Sequence, residues 1–463
     1  MFSFVGRESE LKRMEADFSS NESNLYIIYG RRRVGKTTLL QKFIENKKSI
    51  YFLATEESEE SNLKQFQEVA YEKTKLGVLR PENRLSWYDI FDLISFGDQK
   101  MVIVIDEYQY LVTGNKSISS IIQKIWDEIL SKRKVMLILC GSIINMMYAE
   151  TLNYTSPLYG RRTSQINLKP LNFENYKSFF EDKNIEEIIE FYSVTGGVPK
   201  YVEVFDIERT VEENVSKHIF DKNGFLYEEP YFLLRKEFKE IGVYFSILKT
   251  IANGSHKLSE IASKMEVGQN SLGYYLSILA QMDLLYRDVP ITEINPEKSK
   301  KGLYFLKDNF ISFWFKFVYP NRSFLEIGNI GYVVQKFKDE FIKHVSLVYE
   351  ELARQNATAL ASERYFDHEI LKIGRWWNGD DEIDIVGIDK SGKPALFGEC
   401  KYTNKIVDIK ILFDLLKKVE KHFDLTSKPE FLIYSKSSFS QELINYAREN
   451  KNVHLFKIFD SIY

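Results

Sequence analysis

The residues best suited to chemistry begin near the N-terminus. "GRRRVGKTT" sets Gly30, Gly35, Lys36 and Thr37 at the G-x-x-x-x-G-K-[ST] spacing, after the apolar run "NLYIIYG" and before the helical pattern "KTTLLQKFIEN". Such a loop, through Arg31, Arg32, Arg33 and Val34, turns backbone N–H groups toward phosphate oxygens, and the helix start adds a positive dipole end. Lys36 is expected to reach the β- and γ-phosphates, the Thr37 hydroxyl to ligate Mg²⁺, and Thr38 to complete the cradle. Further on, "MVIVIDEYQYL" ends an apolar run in two acids. Asp106 fits the Mg²⁺ shell, and Glu107 fits a general base that polarises the attacking water. Ser142 in "CGSIINMM" is a candidate γ-phosphate sensor. Arg161 and Arg162 in "PLYGRRTSQ" are candidates for transition-state charge, Arg161 acting within the chain or across an interface.

A second set lies near the C-terminus, in "EIDIVGIDKSGKPALFGECKYT". Side chains alternate along strands, so Glu399 and Lys401 share a face while Cys400 takes the other. Across a hairpin through "DKSGKP", Asp384 and Glu399 can converge. Two carboxylates about 4 Å apart repel by roughly 4 kcal/mol at an effective dielectric near 20. A cation between them removes that cost, and Mg²⁺ prefers oxygen ligands. Lys401 would then orient or help deprotonate water attacking phosphorus. Glu350 in "VYEELARQ" is the expected outer ligand, with Glu351 as the fallback. E-x-K alone is worthless as a signal, because strand edges carry such charges routinely. The surrounding order of elements gives it weight.

That order is α/β throughout. Strands alternate with long helices over the first 160 or so residues, as in a doubly wound parallel sheet. Residues 169–235 read as a helical lid, broken by "TGGVPKY". Residues 236–300 hold three short helices and a wing, a winged helix-turn-helix pattern. Residues 301–335 form an aromatic connector, and residues 336–463 run αβββαβ, the core order of restriction-endonuclease-type folds. The chain is thus expected to be multidomain, with a P-loop core over residues 1–168. In the winged segment, "GQNSLGYYLSILAQMDLLY" contains no Lys or Arg. Basic side chains supply much of DNA affinity, so a packing role is favoured over base contacts by Gln269, Asn270, Ser271 and Tyr274.

Composition narrows the classes. The 463 residues carry a net charge of −3, with 44% hydrophobic residues, so any nucleic-acid contact must be local. Two cysteines, Cys140 and Cys400, lie in apolar runs and suit a reducing cytosol. No apolar N-terminal run reads as a signal peptide and no uncharged stretch as a membrane span, so a cytoplasmic setting without membrane contact is expected.

"FVGRESEL", "YGRRRVGKTTL", "VIDEYQYL", "CGS", "PLYGRR" and "TGGVPKYVEVF" occur in that order. Together they resemble the archaeal-type ATPase family, a STAND-like branch of the AAA+-related P-loop ATPases. The resemblance implies that Gly6 and Arg7 lie near the adenine side. It also implies that Gly197, Val198 and Pro199 form a lid motif that senses nucleotide state. It points to an endonuclease-like C-terminal domain, with Glu350, Asp384, Glu399 and Lys401 at the matching positions. The expectation is an ATPase using ATP and Mg²⁺, coupled to a Mg²⁺-dependent nuclease acting on nucleic acid, with DNA as the expected substrate and nucleotide-dependent homo-oligomers as a possible assembly. The rival is an ATP-dependent switch or scaffold whose C-terminal domain binds nucleic acid or protein without cutting. A sequence-specific transcription regulator is a third idea, weakened by the missing basic residues.

Overall fold

The computed structural model describes residues 4–238, 240–425 and 428–462. The chain divides into two compact units. One runs through Phe179 and adds Gly197–Val204 and a segment beginning at Tyr231. The other holds Phe180–Gly196, Phe205–Pro230 and the chain from Glu240 onward. Residues 169–235 are therefore shared between the two units. Among the described residues, no helix is long and apolar enough to cross a membrane.

The first unit is built on five strands: β1 (Asn24–Tyr29), β2 (Ser49–Leu53), β3 (Met101–Asp106), β4 (Val135–Gly141) and β5 (Ser164–Asn167). They pair in the order β2-β3-β4-β1-β5, all parallel. Every residue of β1, β3 and β4 is buried, as expected of a sheet covered on both faces. Alternation divides them: Leu25, Ile27, Ile103, Ile105, Leu137 and Leu139 join one core cluster. Tyr26, Ile28, Val102, Val104, Met136 and Ile138 join the other. Because β4 lies between β1 and β3, the carboxyl ends of those three strands bring the glycine loop, Ser142 and Asp106 to one edge. That edge is where ligands bind in open α/β sheets.

In the second unit, helices Gly242–Ala252, Leu258–Lys264 and Gln269–Gln281 lead into the antiparallel pair β6 (Leu285–Asp288) and β7 (Leu303–Leu306). Helix Asn309–Phe317 follows, burying Phe310, Phe313, Trp314, Phe315 and Phe317, so the aromatic connector is core rather than linker. After the 33-residue helix Ile330–Ser362 come β8 (Ile370–Asn378), β9 (Asp381–Asp389), β10 (Pro394–Lys401), β11 (Glu430–Ser435), β12 (Val453–Lys457) and β13 (Asp460–Ser461). They form one mixed sheet in the order β13-β12-β11-β10-β9-β8. Strands β8, β9 and β10 are antiparallel neighbours. Helices Lys410–His422 and Gln441–Glu449 then make the crossovers to parallel β11 and β12. On the recognition-like helix, Gln269, Asn270, Ser271 and Tyr274, the candidates for base contacts, are exposed. Its apolar spacing buries only Leu272, Leu276 and Leu279.

Candidate functional site

The glycine loop leaves β1 at Gly30 and enters helix Lys36–Ile44 through Gly35 at φ 94°, which offers no side chain to cap the helix. The first-turn N–H groups are therefore left for an anion. Arg33 also takes a left-handed conformation, φ 71°, which tightens the turn. Lys36 is buried, and its ammonium donates to the carbonyls of Gly30 (2.8 Å) and Arg31 (3.0 Å). Burial pulls its pKa below the usual lysine range, against the opposing pull of Cys140, Glu107 and Asp106.

Asp106 closes the other side. Its Oδ2 accepts from the Thr37 hydroxyl at 2.9 Å and from the Tyr51 hydroxyl at 2.6 Å, and its Oδ1 accepts from the Glu107 backbone at 2.9 Å. Glu107 stands at φ 54°. Its carboxylate accepts from the Ser142 hydroxyl at 2.7 Å and from the Gln109 amide. Gln109 Oε1 in turn accepts from Ser142 N at 3.3 Å. These groups surround a pocket of about 320 Å³, within the usual range for a small-molecule site. Arg32, Arg33, Gly35, Lys36, Thr37, Thr38, Glu107, Ser142 and Pro199 line it, as do Lys200 and Glu203.

Other expected residues stand elsewhere. Gly30, Arg31 and Val34 shape the loop without lining the pocket, and Asp106 sits behind Thr37. Arg7 is buried and donates to the carbonyls of Val34 (2.9 Å) and Lys169 (2.6 Å), so it braces the loop from outside the pocket. Gly6, at φ 69°, lies so close to Asn175 that a Cβ would stand 2.5 Å from it. Arg161 is not brought to the pocket. Its guanidinium pairs with Asp127 (Nη2 to Oδ2, 3.0 Å) and donates to Pro157 O, and it does not line the pocket. Arg162 donates to Tyr159 O.

In the second unit, β9 and β10 pair up to Ile385 and Gly398, and the next step along places Asp384 beside Glu399. Asp384 Oδ2 accepts from Cys400 N at 2.9 Å, and Glu399 Oε1 accepts from Lys401 Nζ at 2.7 Å. Glu399 Oε2 is buried and has no hydrogen-bond partner; Lys418 Nζ stands 3.6 Å away. Burial first, then Glu399 and Glu350, push the Asp384 carboxyl up to about 7. Burial also raises Glu350, against the pull of Arg375 and Arg354. Glu351, the fallback, turns instead to Arg354 at 2.9 Å, whose Nη1 donates to the Asp384 carbonyl. Burial draws the Lys401 ammonium down, but Glu399 outweighs it and the net pKa is above the usual lysine value.

Among the described residues, no group of three or more His, Cys, Asp or Glu side chains converges closely enough to hold a metal ion. The donor set nonetheless fits a hard divalent cation. It is all oxygen, it includes an orphaned buried carboxylate oxygen, and burial together with Glu399 and Glu350 raises the Asp384 carboxyl.

Comparison with known proteins places this geometry. Residues 4–205 match a family model described as an ATPase domain predominantly from Archaea, and residues 314–420 match one described as Archaea bacterial proteins of unknown function. Uncharacterized protein MJECL04 of Methanocaldococcus jannaschii is 36% identical over 417 residues, covering 90% of this chain and 91% of that one. The chain belongs to the archaeal-type ATPase family. A stretch of 45 residues is 58% identical to uncharacterized ATP-binding protein MJ0423 of the same organism, 10% of this chain and 76% of that one. The Walker-type ATPase PABY2304 of Pyrococcus abyssi shares the fold at TM-score 0.50 and 22% identity, covering 68% of this chain and 96% of that one.

Several residues of this archaeal-type ATPase were missed in the sequence. Tyr51 faces Asp106 from the adjacent strand. Gln109 follows Glu107 by two positions and had a readable signal in "DEYQ". Glu237, 95 residues beyond Ser142 by number, accepts from Ile144 N at 3.1 Å and Asn145 N at 3.5 Å. Its carboxyl is pushed up to about 7, mainly by burial. Lys418 and Arg375 come to the acids of the second unit from elements that carry no motif.

Proposed function

We propose that this ATPase-family chain binds and hydrolyses ATP at the glycine loop and uses the nucleotide to govern a nuclease site at Asp384, Glu399 and Lys401, with DNA as the expected substrate. The observation that carries this reading is the meeting of those three residues on neighbouring strands in a chain that also holds a complete P-loop pocket. The short relative named as ATP-binding supports ATP as the nucleotide.

At the loop, Lys36 would exchange its carbonyl partners for phosphate oxygens. Mg²⁺ arriving with the nucleotide would be held by Thr37 and Asp106 and would neutralise phosphate charge. Glu107, fixed by Ser142 and Gln109, would receive the proton of the attacking water. Pro199, at the start of helix Pro199–Val204, would report nucleotide from the lid side.

The sheet β8–β12 with its flanking helices follows the αβββαβ order of restriction-endonuclease-type folds. The three helices and the β6–β7 pair read as a winged helix. Asp384, Glu399 and Glu350 would hold the divalent cation, which when bound supplies positive charge at the scissile phosphate. Lys401 keeps its proton, so its part is to donate to the phosphate or orient water rather than to act as base. Lys418 would add a second positive charge beside Glu399. The exposed face of helix Gln269–Gln281 has no basic side chain, so backbone affinity for DNA would have to come from elsewhere.

One observation favours the rival. Lys401 and Lys418 already stand against Glu399, an arrangement that suits an ATP-dependent switch binding its target uncut, with nucleotide-dependent self-assembly. A Mg²⁺-dependent assay of the full chain on DNA and RNA, with and without ATP, separates the two. Cleavage by the parent, its loss in Asp384→Ala, and altered nucleotide dependence in Lys36→Ala are expected. If neither nucleic acid is cut, or Asp384→Ala cuts as well as the parent, the nuclease half fails and the switch remains.

A further inference from the structure

We infer that Arg32, inside the glycine loop itself, supplies the cation that stabilises terminal-phosphate charge during ATP hydrolysis, and that Tyr110 holds it in place. This rests on the ATP-hydrolysis reading above. Arg32 lines the pocket with Lys36, Glu107 and Ser142. Its Nη2 donates to the Tyr110 hydroxyl at 2.8 Å, while its Nε is buried with no hydrogen-bond partner. The guanidinium is thus tethered at one end with donor capacity left at the other. Tyr110 lies on helix Gln109–Gly114, immediately after Glu107, so the tether fixes Arg32 relative to the group that would polarise water. The position is also electrostatically marked. Burial is the main cause that depresses the Lys36 ammonium, with the Arg32 charge adding to it, and the same charge weakly opposes the rise that burial gives the Glu237 carboxyl. Two cations sharing one pocket repel, and a polyphosphate between them reverses that sign.

The neighbouring arginines are less well placed. Arg31 lies over the Tyr201 ring, 5.8 Å from its centroid, and does not line the pocket. Arg33 lines it as well, and its substitution serves as the control. Arg161 is committed to Asp127.

In the step itself, the water oxygen forms a bond to the γ-phosphorus while the bond from phosphorus to the β–γ bridging oxygen breaks. That electron pair leaves on the β-phosphate of ADP, and the water proton passes to Glu107. Arg32 donates N–H bonds to the oxygens gaining charge and transfers no proton. A planar fork suits that task better than an ammonium.

The test is steady-state ATP turnover by the full chain and by Arg32→Ala, Arg32→Lys, Tyr110→Phe, Arg33→Ala and Arg161→Ala, with ATP affinity and melting temperature measured on each. Arg32→Ala is expected to lower kcat by about 100-fold or more while ATP affinity stays within about threefold. Arg32→Lys should recover only part, and added guanidinium ion should restore some turnover to Arg32→Ala. Tyr110→Phe should cost about 3- to 10-fold alone and nothing further on top of Arg32→Ala. The inference is overturned if Arg32→Ala turns over within twofold of the parent, loses affinity as much as turnover, or is matched by Arg33→Ala or Arg161→Ala. A parent that binds ATP without hydrolysing it would instead sink the hydrolysis reading beneath it.

Discussion

Asp106 and Asp384 both lie on strands of buried sheets, yet the chain surrounds them differently. Asp106 receives two hydroxyls and a backbone N–H from its own unit. Asp384 receives one backbone N–H and faces Glu399 and Glu350, which with burial raise its carboxyl to about 7. Hydrogen-bond donors stabilise a carboxylate, whereas neighbouring carboxylates oppose it. The first centre is therefore assembled around its acid before any ligand arrives. The second stores repulsion that a cation relieves. The nucleotide pocket waits preformed with Lys36 held by carbonyls; in the acid cluster Lys401 and Lys418 stand at Glu399, while Asp384 has only a backbone N–H.

The contrast can be broken by substitution, beginning with the largest effect. Lys36→Ala should weaken ATP binding by at least about 100-fold, because the phosphate charge loses its main cation. Equilibrium binding of a fluorescent ATP analogue reads this directly, and near-parent affinity would mean that the pocket is not a phosphate site. Asp384→Asn should act in the opposite sense on stability. Without divalent cation at pH 8, removal of a repelled buried charge should stabilise the chain by on the order of 2 kcal/mol, while cation binding is lost. Thermal melts with and without Mn²⁺ would show the parent gaining from the metal and the variant indifferent to it. A lower melting temperature for the variant would argue that the acids are not in conflict. Thr37→Ala removes one of the three donors to Asp106 and should cost about 1 kcal/mol of stability in the nucleotide-free chain, along with Mg²⁺-dependent turnover.

The smallest effect concerns pH. Glu237 holds its proton up to about 7 in the folded chain, whereas an unfolded Glu releases it near 4.3. Between these values the folded state binds the extra proton, so stability falls as pH rises. The contribution is fully present below the lower value and lost once pH passes about 7. Glu237→Gln should flatten the slope of melting temperature against pH over that window. An unchanged slope would assign it to other groups.

Legibility in the sequence followed contiguity. The glycine loop, "VIDEYQ" and the strand–helix alternation are local patterns, and they led to a parallel sheet, four of its five strands, and seven of the residues around its pocket; Ser142 came from "CGS" and Pro199 from the family resemblance. The αβββαβ order was legible because strand and helix periods differ. Tyr51, Glu237 and Lys418 were not, because each reaches its partner from an element well removed in the chain; Arg375 pairs with Glu382 only seven residues on, but which face of the hairpin it took was not read. Arg161 stands apart from the pocket of its own chain for a complementary reason: "GRR" announces charge, but the pairing with Asp127 depends on a helix about 35 residues earlier. Glu350 rather than Glu351 emerged as the inward acid because Arg354, one turn on, takes Glu351.

The most direct measurement is the anomalous signal of Mn²⁺ in crystals of the full chain grown without nucleotide. The account predicts a peak in the second unit within about 2.0–2.6 Å of oxygens from Asp384 and Glu399, absent in Asp384→Ala. Manganese confined to Thr37 and Asp106, with Glu399 still held by Lys401 and Lys418, would contradict it.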